Sequence, residues 1–252
     1  MTKKTYEPVS KGNPKQLATQ QHIHTAHSIS MFYDDSGKVD VFFKEQNNRQ
    51  RLNKKAKAFI TRRTWDERSE RGYMVDIETL FHKEIDDIKK FSTRNHEAIS
   101  KYSLLWCLRH QWHISEKPDV ELNCTSSSGN NGESLEKAQE EVLESKGGSF
   151  FRQGGILPSR FDVGLNIQIN LDKYWAKYSG IEWGLLEATA GEFVVADRYD
   201  GRLLIPISPT LAFVANASDR HISEDDVASI NRNSISSAYS HYFARNLDNC
   251  PK

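Results

Sequence analysis

Apolar residues recur every three or four positions at Ile77, Leu80, Phe81, Ile85 and Ile88, the period of a helix with one buried face. Upstream, Thr64 and Glu67 have the spacing of a capping box, so a helix is expected from Trp65 to about Lys90. Ile99, Tyr102, Leu105, Trp106 and Leu108 build a second broad apolar face. It predicts a helix over about Asn95–Trp112, packed on the first as an antiparallel hairpin. Elsewhere the pattern shortens. "SISMFY" and "KVDVFF" flank "DDSG", where Asp34 and Asp35 favour side-chain-capped turns and Gly37 supplies positive φ, so a β-hairpin is expected. "RFDVGLNIQINL" places Val163, Leu165, Ile167 and Ile169 at alternate positions, the pattern of a half-buried strand. "GEFVVADR", "RLLIPIS" and "TLAFVAN" are short apolar runs bounded by Gly, Pro, Asp and Asn, and they read as further strands. Ser223 as N-cap, with Val227, Ile230, Ala238 and Tyr242 behind it, predicts a last helix running to about Arg245. The fold class expected is α+β: an N-terminal β-hairpin, a helical hairpin, a C-terminal antiparallel or mixed sheet and a final helix.

The organisation follows from where periodicity stops. Residues 1–19 are polar with Pro8 and Pro14 and are expected to be a disordered leader. A single domain is expected over 20–246, with 247–252 as a tail. Within it, Glu116 to Glu144 carries eight acidic residues against Lys117 and Lys137 around a Ser-, Asn- and Gly-rich centre. An acidic, flexible insert is therefore expected at about 116–148. The whole chain of 252 residues has 34 basic and 34 acidic side chains, so no global field draws it to nucleic acid or an anionic membrane. Cys107, Cys124 and Cys250 are odd in number and form no CxxC pair. That argues against a disulfide framework or a cysteine-rich zinc site, and for a cytoplasmic setting. No signal peptide, membrane span, Gly-rich phosphate loop, Ser-His-Asp motif or redox cysteine pair is read in the sequence.

Four landmarks occur in order: Gln21 and His22 with Phe32 and Gly37 behind them, "FVVADR" with Asp197, "IPISPT" with Pro206, Ser208 and Pro209, and "VASINR" with Asn231. In this order and spacing the chain resembles, over about residues 20–245, a widespread bacterial and phage family catalogued as a domain of unknown function, number 4238. Thr25 stands where that family's early proline is expected, and Arg198 where Asn-Pro would follow the aspartate. The resemblance implies an α+β fold and a shared structural motif of His22, Phe32, Asp197, Pro206 and Asn231. By size and type the chain also looks like phage-encoded exclusion factors of the Tin type, which block an invading phage by acting on its single-stranded-DNA-binding protein.

Two clusters carry candidate chemistry. On an extended backbone His22 and His24 share a face, and with His27 or distant Asp197 they have the donor types for a divalent metal. The rival reading makes His22 and Asp197 a buried hydrogen-bonded pair. His110 and His113 lie near a helix end, where histidine favours the dipole. The second cluster is the basic run Arg49, Arg51, Lys54, Lys55, Lys57, Arg62 and Arg63, with no acidic residue between Gln46 and Arg63. Left unpaired, such a run recruits phosphates or carboxylates, and with only Phe59 and Trp65 nearby, base stacking has thin support. The expected function is therefore non-enzymatic and phage- or prophage-associated, with no cofactor. The run would bind an acidic protein partner, such as a single-stranded-DNA-binding replication protein. Alternatives are a metal-dependent hydrolase or nuclease using His22, His24 and Asp197, and a direct nucleic-acid binder. A second copy of the chain is a further candidate partner.

Overall fold

The computed structural model describes residues 6–115, 117–122, 134–198 and 203–252. Its first half runs β1 (Gln21–His22), α1 (Ala26–Ser30), β2 (Val39–Phe43), β3 (Asn48–Leu52), β4 (Ile60–Thr61), α2 (Glu67–Arg71), α3 (Tyr73–Asp86) and α4 (His96–Ile114). The second half runs β5 (Val120–Glu121), α5 (Lys137–Ser145), β6 (Ile156–Leu157), α6 (Ser159–Tyr178), β7 (Trp183–Ala188), β8 (Val195–Ala196), β9 (Leu204–Pro206), β10 (Leu211–Ala215), β11 (Arg220–Ile222), α7 (Glu224–Ser237) and β12 (His241–Ala244). The architecture is α+β. No helix among the described residues is long and apolar enough to cross a membrane.

Two four-stranded sheets, ordered β11-β7-β10-β9 and β3-β2-β12-β8, contribute to one core. The first is mixed, because β11 lies parallel to β7 while the other pairs are antiparallel. In the second, β12 is central, pairing Phe243 with Val41 on β2 and with Val195 on β8. The helical hairpin forms as its periodicity predicts. Phe81 of α3 stacks on Tyr102 of α4 with ring centroids 3.8 Å apart, and Asn95 caps α4 by accepting from Ala98 N–H. Two of the landmark side chains lie in the core. Phe32 is fully buried, edge-on to Phe243. Asn231, also fully buried, accepts from Val194 N–H and donates to the carbonyls of Glu192 and Pro251. Residues 247–252, expected as a tail, are thereby tied to the domain, and Leu247 and Cys250 are buried.

Several elements differ from expectation. The "DDSG" turn forms, with Asp34 Oδ1 accepting from Ser36 N–H and Lys38 N–H and Gly37 at φ 69°. It joins α1 to β2, however, and the hairpin is β2–β3, one element later. The alternative period was present: Ile29 and Phe32, three apart, both turn inward. Thr64 does not cap a helix; its hydroxyl meets that of Thr61, and Asp66 is the N-cap of α2. Gly72 separates α2 from α3. The last helix stops at Ser237, and Tyr242 belongs to β12. The expected leader packs on the domain from residue 6: Leu17 is buried, Ser10 N–H donates to Glu141 and Ala18 N–H donates to Glu67. Part of the acidic insert folds as α5 behind a Glu136/Gln139 capping box, while residues 123–133 lie outside the described residues.

The largest correction is "RFDVGLNIQINL", which is helical within α6. Val163 and Ile167, four apart, face the core, whereas Leu165 and Ile169 are 44% and 51% exposed. Gly164 lets α6 approach α2 closely: a Cβ there would overlap the side chains of Asp66 and Ser69, both buried. Gly164→Ala is therefore expected to cost about 2 kcal/mol through overpacking. The readout is a thermal midpoint lower by about 5 °C, and an unchanged midpoint would refute the close approach.

Candidate functional site

β8 ends at Ala196, and the next residue, Asp197, turns its carboxylate onto the segment that enters β12. It accepts from Tyr239 N–H at 2.7 Å, Ser240 N–H at 2.7 Å, Ser240 Oγ–H at 2.7 Å and His241 N–H at 3.2 Å. Two imidazoles converge on the same carboxylate, His110 Nε2 at 3.9 Å and His241 Nδ1 at 3.6 Å. Burial alone would raise the Asp197 pKa; the nearby His110 and His241 rings and the Ser240 donors outweigh it and hold the group far below the usual carboxylate range. Burial also lowers the His241 pKa, against the pull of Asp197.

This carboxylate lies in the lining of a cavity of about 440 Å³ with His24, Trp106, His110, His241 and Lys57. Phe43, Phe59 and Phe243 add aromatic wall, and Glu45 is an acidic member of the lining. His24 is 5% exposed and stacks on Trp106 at 4.2 Å. Its Nδ1 is 2.8 Å from the Tyr102 hydroxyl, which already accepts from Thr25 N–H. The hydroxyl oxygen can also accept from a ring N–H, so either group can be the donor of this contact, and the far ring nitrogen is Nε2. That Nε2 has no hydrogen-bond partner among the described residues. Burial first, then nearby His82, His22 and Arg109, lowers the His24 pKa to about 3, so the ring is neutral at physiological pH.

Ser240 Oγ gives its one proton to Asp197, so its 2.8 Å contact with His241 Nδ1 runs from ring N–H to hydroxyl oxygen. An activated serine would give its proton to the imidazole instead. Asp197 therefore locks the 239–241 turn and orients two histidines, and the histidines and aromatic rings meet the cavity.

The residues expected to act together are dispersed. His24, Asp197 and Lys57 share this cavity, but His22 Nε2 bonds the Lys54 carbonyl at 3.0 Å and His27 Nε2 meets Asp86 at 2.6 Å. The metal readings, His22/His24/His27 and His22/His24/Asp197, are thereby corrected, and among the described residues no three His, Cys, Asp or Glu side chains are grouped to hold a metal ion. The expected His22–Asp197 pair is replaced by the contacts of Asp197 with His110 and His241.

The basic run is likewise divided. Arg49 pairs with Asp40 and Asp248, Arg51 with Asp34, and Arg63 with Glu144. Arg62 donates to the Tyr6 hydroxyl. Lys54, Lys55 and Lys57 make no ion pair among the described residues, and Lys55 and Lys57 are exposed. Among the described residues, the cations of the run without an ion pair are thus Arg62 and the three lysines rather than all seven. His241 and Ser240 escaped the sequence reading, since they lie in a segment expected to be helical. His110 and His113, three apart on α4, were legible as one helix face but not as a cavity wall.

No family model matches the chain, and searches of curated proteins and of solved structures return no match.

Proposed function

We propose that the protein is a non-enzymatic interaction module that captures an acidic segment of a partner protein. Carboxylates of the segment lie along Lys54, Lys55 and Lys57, and an apolar side chain beside them enters the aromatic cavity. The observation that carries this reading is Lys57, which belongs both to the unpaired cationic edge and to the lining that contains the unpartnered His24 Nε2. A hydrogen-bonding group on the entering segment would satisfy that buried ring nitrogen, which left unmet costs about 1 to 3 kcal/mol. A single-stranded-DNA-binding replication protein with an acidic stretch is a partner of this chemistry. With such a partner, the protein would act as a phage-exclusion factor of the kind its resemblance implies.

The test is a salt-resolved binding titration against a purified single-stranded-DNA-binding protein. Exchanging all three lysines, Lys54→Glu, Lys55→Glu and Lys57→Glu, is expected to weaken capture about tenfold or more, since three rim pairs together supply roughly 1.4 kcal/mol. The salt dependence should flatten with it. Unchanged affinity and salt slope would end the proposal. A DNA single strand that binds alone, with an affinity falling steeply in salt, would favour direct nucleic-acid binding instead.

A further inference from the structure

A second cavity, of about 870 Å³, lies beneath the N-terminal segment, within the size range of small-ligand sites. Its lining contains six cationic side chains, Arg62, Arg63, Lys117, Lys137, Arg152 and Arg160, against the acidic Glu7, Asp119 and Glu140. We infer that it is a binding site for a phosphoryl group carried by a small molecule, and that Glu7 occupies part of that site in the ligand-free chain.

Arg63 carries the argument. The residue is 7% exposed and its backbone is held at φ 44°, in the left-handed region. Its Nη2 donates to Glu144 at 2.9 Å, but Nε and Nη1 have no partner among the described residues. One N–H on Nε and two on Nη1 are therefore buried without an acceptor. Leaving such donors unmet is costly, more so on a charged group.

The neighbouring arginines show what the cavity accepts. Glu7 Oε1 receives a hydrogen bond from Arg152 at 2.5 Å, and Glu7 Oε2 one from Arg160 at 2.6 Å. Both carboxylate oxygens are then engaged, with Arg63 Nε and Nη1 still unmet. A phosphoryl group offers at least three oxygens in a tetrahedral array, enough to meet the Arg152/Arg160 pair and Arg63 together.

The acids in the cluster are already committed. Glu140 binds Arg152 through both oxygens, each at 2.7 Å. Glu144 is shared by Arg63 and Arg160 at 2.9 Å, and Asp119 is 3.8 Å from Arg152. Lys117 sits over the Trp112 ring at 4.2 Å, and Lys137 donates to the Pro8 carbonyl. Tyr6, Glu7 and Pro8 thus make a strap whose carboxylate competes for the arginines.

Calorimetric titration with two probes, inorganic phosphate and adenosine 5′-monophosphate, tests the site. Both are expected to bind, and Glu7→Gln, which removes the competing charge from a half-buried side chain of the strap, should tighten binding about tenfold. Arg63→Gln should weaken binding by at least the same factor. Because Arg63 also pairs with Glu144, Lys117→Ala is the companion variant: it leaves that pair intact and should weaken binding with no change in thermal midpoint. A preference for the nucleotide identifies a phosphate ester lying against the Tyr6 and Trp112 rings of the lining, whereas equal affinities identify the phosphoryl group alone as the ligand. Absence of binding to both the wild-type and Glu7→Gln proteins at millimolar probe overturns the inference. So does binding that none of the three substitutions alters.

Discussion

Asp197→Ala is expected to lower the thermal midpoint by about 10 °C, the largest single-site loss foreseen here, because it strips an ionised acceptor from three backbone donors at once. The N–H groups of Tyr239, Ser240 and His241 all end on this carboxylate. Without it all three lose their shared acceptor, and the turn that starts β12 loses its anchor beside β8. Removing one partner from a buried, charge-assisted network typically costs about 3 to 5 kcal/mol. Asp197→Asn keeps one acceptor oxygen and should lose about half as much. The folded pKa lies below the unfolded one, so the stability from ionised Asp197 is complete above the unfolded value, about pH 4, and declines as pH falls below it. Denaturant titrations at several pH values should show this acid limb in the wild type and lack it in Asp197→Ala. A midpoint within 2 °C of wild type, on the scale of a surface change, would contradict the anchoring role.

The second large effect is loss of stability in mild acid through His24. Its pKa is 6.5 when unperturbed and about 3 in the fold, so the unfolded chain takes up a proton that the folded chain refuses. The contribution of neutral His24 is complete above pH 6.5 and is lost as pH falls towards 3; by pH 4 the loss is about 3 kcal/mol. Burial also lowers the pKa of His22, His82 and His241, so their contributions carry the same sign. His24→Gln should remove most of the decline between pH 6.5 and 4 and leave the smaller share of the other histidines. Parallel pH profiles for the two proteins would show that His24 is not the acid-sensitive group.

Helix α4 and the helical hairpin were legible because their signals agree: an apolar period near 3.6 sustained over many residues, with Asn95 in place as the cap. The "DDSG" turn was equally legible, since its chemistry is local; Asp34 bonds its own following backbone. The six residues before the turn were ambiguous. Alternation and helical spacing compete over so short a stretch, and only the inward placement of Ile29 and Phe32 decides for α1. The same competition misassigned α6, where alternation at 163, 165, 167 and 169 coexists with the four-residue spacing of Val163 and Ile167. Local bonds then favour the helix, Asn166 donating to the Asp162 carbonyl and Asn170 to the Asn166 carbonyl.

The sequence by itself determined the α+β class, the helical hairpin, the position of the tight turn and a concentration of positive charge before Trp65, because each depends on neighbours a few residues apart. Tertiary structure alone decided which of those charges stay free. Arg49 meets Asp248 from 199 positions away and Arg63 meets Glu144 from 81, distances across which no local pattern speaks. It also assembled the cavity, where His24, Lys57, His110, Asp197 and His241 arrive from five separate segments. Hydrophobic burial drives those segments into one core, and the polar groups carried along must find partners wherever packing leaves them.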